Sequence, residues 1–433
     1  MTSPAADPIA LLLEGRYPDP ETGALLRAES RAVVIEPSLD GAEAELVAGL
    51  GLGPKLAVIS DVDTHAALGR RVERALGGGF AVQSIVLGHR PVPDTATLAR
   101  LEALVAPGTQ GVVAVGSGTL NDLCKLVALG RGCPQVVFAT APSMNGYTSL
   151  SASIIQDGLK RSVRAATPAG VFFDLAVIAA APIRLIRAGL GDSMCRPTAQ
   201  ADWLLSHLLL DRPYREAPFA LLARDEAELI ARAGALGAGD LDAIRHLVRT
   251  LVLSGFGMTL CGGSYPASQG EHLIGHYVEA MGPADRPEAF HGEETGVASI
   301  AMAELQDRLL ARAAPPVLRP TGVGRVGREE LLRRYGPERG EACWLELAGK
   351  SFDRAQTDEL NARLAARWPE MRERIAAVTL GAARHREVLA AAGAPITPAE
   401  LGWPDDLLPA AMAHARELRN RYTFMDLAAD LQN

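Results

Sequence analysis

The strongest constraint on this chain is a series of short apolar runs that lack the polar alternation of a half-exposed strand. AVVIEP (32–37), KLAVISD (55–61), GVVAVGSG (111–118) and QVVFATAP (135–142) read this way, and VFFDLAVIAAAP (171–182) closes the series. Strands of this kind need cover on both faces, as in a parallel sheet. Between them LDGAEAELVAGL, TLARLEALV (97–105) and TLNDLCKLVAL carry apolar residues at helical spacing. The alternation predicts an α/β fold, a Rossmann-like parallel sheet wrapped by helices.

After residue 182 the strand signals fade. IRLIRAGLGDSMCRPTAQADWLLSHLLL, DLDAIRHLVRTLVLSGFGMTL and ASIAMAELQDRLLARAA place apolar residues three and four apart, so the second half reads as helical. The expected domains are therefore 1–182 and 183–433. APPVLRPTGVGRVGR (314–328) is a Pro/Gly connection inside the second, and no internal repeat or low-complexity tract interrupts either.

With 433 residues, 48% of them hydrophobic, the chain can bury more than one core. Its net charge of −8 provides no electrostatic footprint for nucleic acid or an anionic membrane. No apolar stretch approaches the roughly 18 residues that span a bilayer. The start, MTSPAADPIALLLEGRYPDP, lacks the basic opening of a signal peptide, and Glu14 and Arg16 cut its apolar run short. Cys124, Cys133, Cys195, Cys261 and Cys343 are odd in number, scattered and free of any CxxC pair, as thiols of a reducing cytoplasm are. A soluble cytoplasmic protein is expected.

Gly116 and Gly118 flank Ser117 directly after a buried strand, and a helix opens near Thr119. Such a turn lets a ligand approach the backbone and turns free amide groups towards a phosphate, although plain strand-to-helix turns share the pattern. The GxGxxG fingerprint is not matched, because Thr-Leu-Asn-Asp follows. Asn121 and Asp122 fit a helix start as readily as a ligand contact. Asp61, at the end of KLAVISD, either accepts from a ribose or caps the next helix with Asp63 and Thr64.

The second half supplies metal-type donors. Asp192 follows two glycines in GLGDSM, His272 and His276 share a helix face in GEHLIGHYVE, and His291 opens HGEETG. One carboxylate and two imidazoles suit zinc, nickel or iron and leave positions open for substrate. Spacing alone equally allows a turn-capping aspartate and ordinary helix histidines.

In order along the chain, GSGTLNDLCK, TAPSMNGYTS, DGLKRSVRAATP, GLGDSMCRPTAQADWLLS, PASQGEHLIGHYVE, HGEETGVAS and RNRYTFMDLA resemble the sn-glycerol-1-phosphate dehydrogenases. These belong to the iron-type alcohol dehydrogenase, glycerol dehydrogenase and dehydroquinate synthase superfamily. The resemblance implies an N-terminal Rossmann-like domain, an all-α C-terminal domain and an active site in the cleft between them. It places the cofactor diphosphate on Gly116, Ser117, Gly118 and Thr119, with Asp61, Asp122, Thr140 and Ser143 lining NAD(H) or NADP(H). It assigns one divalent metal to Asp192, His272 and His291. The implied reaction reduces dihydroxyacetone phosphate, a small phosphorylated substrate, to sn-glycerol 1-phosphate, and a homo-oligomer is common among relatives.

His276 is a candidate proton relay, or a histidine behind the metal ligands. Lys160, Arg161, Arg419 and Arg421 are candidate phosphate binders, or solvated charges. Asp61 would repel a 2′-phosphate and so favours NADH. One departure stands out: relatives read PSMDGYTS where this chain has Asn145, and an amide takes up no proton at neutral pH. That keeps three rivals in view: a dehydrogenase of glycerol or another ketone or aldehyde, a dehydroquinate-synthase-type cyclase, and a non-catalytic nucleotide-binding protein. Thr295, where relatives carry valine, is a smaller change, and the segment 320–400 matches nothing recognisable.

Overall fold

The computed structural model describes residues 7–156, 159–320 and 326–432. The chain forms two compact units: Met1–Ser193 with Glu216–Ser264, and Met194–Arg215 with Tyr265–Asn433. The change from strand to helix falls where the sequence puts it, since the last strand ends at Asp174. The compact units do not divide near residue 182, however. Helix Leu241–Leu260 packs on the sheet unit, and Arg245 Nη1 donates to the Ile35 carbonyl at the end of a strand, 2.9 Å away.

The first unit is built on six parallel strands: β1 (Ala32–Glu36), β2 (Lys55–Asp61), β3 (Ala81–Leu87), β4 (Gly111–Gly116), β5 (Gln135–Ala139) and β6 (Gly170–Asp174). Their order across the sheet is β1-β6-β5-β4-β2-β3. Registers such as Val58↔Val113 and Val113↔Val136 stack β-branched side chains into one core with Phe138 and Phe172. Each such side chain, buried fully, contributes roughly 1.5–3 kcal/mol. β3 escaped the sequence reading because AVQSIVL is an edge strand, apolar on one side and half-exposed on the other. The hairpin Ser151–Gln156 with Leu159–Arg164 escaped it too, and for the same reason: its polar alternation carries no buried-strand signature.

From β2 the chain runs outward to β3, whereas from β4 it runs the other way through β5 to β6. The neighbouring carboxyl ends of β2 and β4 are therefore the topological switch point, where open α/β sheets take their ligands. Asp61 ends one of these strands and Gly116 the other.

The second unit is helical. It includes α1 (Arg196–Leu210), α2 (Gly270–Met281), α3 (His291–Leu310) and α4 (Arg354–Ala376) around a core containing Trp368, Met371, Tyr422 and Phe424. Within the segment 320–400, residues 328–391 form four helices; the first three contribute Leu331, Cys343 and Trp368 to this core, and Ala382–Ala391 packs on α3. Among the described residues no helix is long and apolar enough to cross a membrane.

The two glycines before Asp192 belong to helix Ile183–Ser193 of the first unit. A Cβ at Gly189 would overlap the Pro142 carbonyl oxygen, a backbone atom that no side-chain rotation can clear. Gly189→Ala should lower stability by about 1–3 kcal/mol or more. Gly275→Ala, where a Cβ meets nothing within 4 Å, should stay within about 1 kcal/mol. Urea unfolding of both variants checks this, and wild-type stability in Gly189→Ala would refute the close approach.

Candidate active-site elements

In the first unit, β4 delivers the chain to Gly116, and the helix Gly118–Arg131 begins two residues later. Neither glycine adopts a left-handed conformation, so neither is required by its backbone angles. A Cβ at Gly116 would overlap the Leu120 side chain, which makes this glycine a packing requirement. A Cβ at Gly118 would stand 3.4 Å from Met144 Cγ, so the fold tolerates it and the constraint lies on the open side. No side chain caps this helix start among the described residues, which leaves its leading amides to an anion or solvent. Ser117 and Thr119 are half-buried beside them.

The other cofactor candidates divide. Thr140 donates its backbone N–H to the Gly116 carbonyl, 3.1 Å away, so the loop bearing Thr140 and half-buried Ser143 lies against the glycine turn. Asp61 caps the short helix Val62–Thr64, accepting from Thr64 N at 2.8 Å while the Thr64 hydroxyl accepts from Asp61 N at 3.0 Å. Its capping role is thus present at the switch point itself. Asp122 accepts from Ser153 N at 2.8 Å and Asn121 Nδ2 at 3.0 Å, joining the helix to the hairpin.

The PSMNGYTS loop is held from several sides. Asn145 donates its N–H to Asp192 Oδ2 at 2.8 Å and its Nδ2 to Ser254 Oγ at 3.3 Å. The Tyr147 hydroxyl donates to the Ala141 carbonyl at 2.6 Å, and Thr148 Oγ1 to the Val252 carbonyl at 2.7 Å. Lys125, which the sequence reading passed over, is fully buried and reaches this loop from the helix that follows the glycine turn. Its sequence signal was a cation on a helix face shared with buried Cys124 and Ala128.

In the second unit, His272 on α2 and His291 at the first turn of α3 place their ring centroids 5.0 Å apart. Glu293 reaches back to accept from Phe290 N at 2.8 Å, fixing the helix start that carries His291. The N-terminus of α2 is fixed by Asp202, whose Oδ2 accepts from Gly270 N at 3.0 Å. Burial, and then the neighbouring Glu271, push the Asp202 carboxyl well above the usual carboxylate range.

Glu271 is a site candidate that the sequence did not single out, although its position directly before His272 was the available signal. Its Oε1 lies 2.9 Å from His272 Nδ1 and also accepts from Gln269 N at 2.7 Å. A donor relation Nδ1–H to a carboxylate is the arrangement that orients metal-binding histidines, with Nε2 as their ligand atom. Cys195, Glu271 and His272 have ligand-type atoms within 4.8 Å of one another, so Cys195 is a thiol beside this group. His276 is farther out, 6.5 Å from the His272 ring centroid, with Nδ1 3.4 Å from Glu279 Oε2.

The phosphate candidates also separate. Arg161 is exposed on the hairpin of the first unit, and the Lys160 side chain lies outside the described residues. In the second unit Arg421 carries its guanidinium 4.9 Å above the Tyr265 ring, and Arg421 N donates to the Arg419 carbonyl at 2.8 Å, which keeps the two arginines together. Burial first, then the Arg419 charge, push Arg421 down to about 10; Glu271 acts on it in the opposite sense. A desolvated like-charge pair of this kind is suited to an anion.

Known proteins place this chain. The sequence profile of the iron-containing alcohol dehydrogenases matches residues 34–182. The NAD(P)+-dependent glycerol-1-phosphate dehydrogenase of Thermococcus kodakarensis is 33% identical over 275 residues, covering 64% of this chain and 77% of that relative. The enzyme of the same name from Bacillus velezensis is 29% identical over 372 residues, covering 84% of this chain and 83% of its own. A probable glycerol dehydrogenase from Sinorhizobium meliloti shares the fold, with a TM-score of 0.58 at 18% identity over 93% of this chain and 95% of its own. Profile, identity and fold agree, and the chain belongs to the glycerol-1-phosphate dehydrogenase family of the iron-containing alcohol dehydrogenases.

Proposed function

We propose that this protein reduces dihydroxyacetone phosphate to sn-glycerol 1-phosphate with NADH or NADPH, reversibly, using one divalent ion held by Asp192, His272 and His291. The observation that carries this reading is the imidazole pair on α2 and α3, with Glu271 turning one ring so that Nε2 is presented. Two imidazoles and a carboxylate are a borderline donor set that zinc, nickel and iron all accept. An ion there supplies Lewis-acid polarisation of a ketone oxygen, and a nicotinamide supplies the hydride.

The chain's own groups do the rest. The amides at the start of the helix Gly118–Arg131 hold the cofactor diphosphate, with Gly116, Ser117 and Thr119 around it. Asp61, at the switch point, puts negative charge where an adenosine ribose would lie and favours NADH. Thr140 and Ser143 line the cofactor from the following loop. Arg419 and Arg421 pair with the substrate phosphate as a bidentate-capable cation pair. Asn145 positions a substrate hydroxyl by hydrogen bonding, without taking its proton. His276, with Glu279 behind it, returns a proton through water to the product oxygen. The protein works in the cytoplasm as a homo-oligomer.

The deciding experiment follows NADH and NADPH absorbance with dihydroxyacetone phosphate and with dihydroxyacetone, after reconstitution with zinc, nickel or iron. The phosphorylated ketone should be strongly preferred, and Arg421→Ala should raise its KM about 10- to 100-fold while leaving dihydroxyacetone turnover unaltered. Equal rates for the two ketones would point to an unphosphorylated polyol, and no net NAD(P)H consumption would point to a cyclase.

Asp192→Ala and His272→Ala should each lose bound metal and lower activity more than roughly a hundredfold with circular dichroism unchanged. Full metal stoichiometry in both variants would mean that the ligands lie elsewhere. Gly118→Val should raise the NADH Kd at least about tenfold, or 1.4 kcal/mol, by crowding the diphosphate. An unaltered Kd, measured by fluorescence titration, would remove the cofactor from this turn.

A further inference from the structure

We propose that Lys125 is a positioning residue that fixes the Asp192-binding loop relative to the helix carrying the cofactor end of the first unit. This deepens the functional reading above and rests on it in taking Asp192 as a metal ligand and the start of the helix Gly118–Arg131 as the cofactor end.

The Lys125 ammonium meets four acceptors, all on one short stretch of chain. It donates to the Gly146 carbonyl at 2.6 Å, the Ser149 carbonyl at 2.9 Å, Ser149 Oγ at 3.2 Å and the Ser151 carbonyl at 2.9 Å. Three N–H donors facing four acceptors satisfy the amine completely. None of the four is a carboxylate, so the group is held by backbone dipoles and a hydroxyl, and burial pushes it down to about 8. A buried cation used in this way is costly to keep, and an apolar side chain of the same length would pack at less cost. What the ammonium provides is a fixed path for the loop.

That path leads directly to Asp192. Gly146 follows Asn145, whose N–H is 2.8 Å from Asp192 Oδ2. A Cβ at Gly255 would stand 2.6 Å from the Asn145 carbonyl, so helix Leu241–Leu260 closes the loop from the opposite side. On its other side Lys125 belongs to the helix whose first turn contains Gly118 and Thr119. One side chain therefore links the diphosphate end of that helix to the amide that orients the carboxylate ligand. Contacts made directly behind a ligand, as the Asn145 N–H makes with Asp192, alter metal affinity roughly 10- to 100-fold when removed, and Lys125 holds that amide through the adjoining Gly146.

The test compares Lys125→Met with Lys125→Gln. Methionine is the better packing isostere, whereas glutamine keeps two N–H donors. A positioning role by hydrogen bonding predicts metal affinity, read by chelator competition, in the order wild type, Gln, Met. The Met variant should fall roughly tenfold or more, with kcat reduced and the KM for NADH little changed. A packing role predicts the opposite order of the two variants. Hydrogen exchange gives a readout independent of variant folding. In the unaltered protein, amides of residues 144–149 should be protected as strongly as those of Gly111–Gly116, and in Lys125→Met that protection should fall selectively. Exchange of 144–149 at open-loop rates in the wild type overturns the proposal, as does a Met variant with wild-type loop protection and metal affinity. If Asp192→Ala keeps its metal, the ligand assignment fails, while the exchange experiment still decides the role of Lys125.

Discussion

The placement of the acidic candidate ligand depends on one backbone approach. Helix Ile183–Ser193 lies so close to the loop after β5 that only hydrogen fits at Gly189, opposite the Pro142 carbonyl. Three residues on, the same helix presents Asp192, and three residues beyond Pro142 the loop presents the Asn145 N–H that meets it. A bulkier residue at the first contact would move the second, because the intervening helix and loop are both short and held. Tyr147, Thr148 and Lys125 then fix the loop from the remaining sides. The carboxylate is thus oriented by backbone geometry.

Much of this was legible in the sequence, and the limits have physical causes. The buried strands announced themselves because β2, β4, β5 and β6 are covered on both faces and carry continuous apolar runs. β3 and the hairpin did not, because a strand with one wet face alternates over too few residues to stand out. The glycine turn, the candidate metal donors and Asn145 stood out through residue type and motif order. Glu271 and Lys125 did not, because a charged residue inside an amphipathic helix reads as solvated until its partners, distant in sequence, are placed around it. Helical periodicity reports that residues 241–260 form a helix, not which compact unit that helix joins.

The charges of the helical unit follow one logic. Asp202 accepts from the amides of Gly270 and Phe424 and from Gln306 Nε2, so a single buried carboxyl fixes two helix starts at once. The RNRYTFMDLA stretch is organised by the Thr423–Asp426 capping box, and Asp426 pairs with buried Lys350, 2.9 Å away. Lys350 Nζ also donates to the Arg421 carbonyl at 2.8 Å. The arginine proposed to meet the phosphate is therefore tied by its main chain to the unit's interior, while its guanidinium lies over the Tyr265 ring.

The division of the chain has a bearing on synthesis. The sheet unit is discontinuous: its strands are complete by Asp174, yet helix Leu241–Leu260, which packs on the helices after them and meets β1 at its end, belongs to a later stretch, after residues 194–215 have been given to the other unit. A nascent chain emerging from the ribosome cannot finish its nucleotide-type core first and its helical core second, as a simple tandem protein would. Until residue 260 has emerged, the surface that the helices Leu175–Ala179 and Ile183–Ser193 turn towards Leu241–Leu260 stays uncovered, and apolar groups exposed in that interval are open to wrong partners.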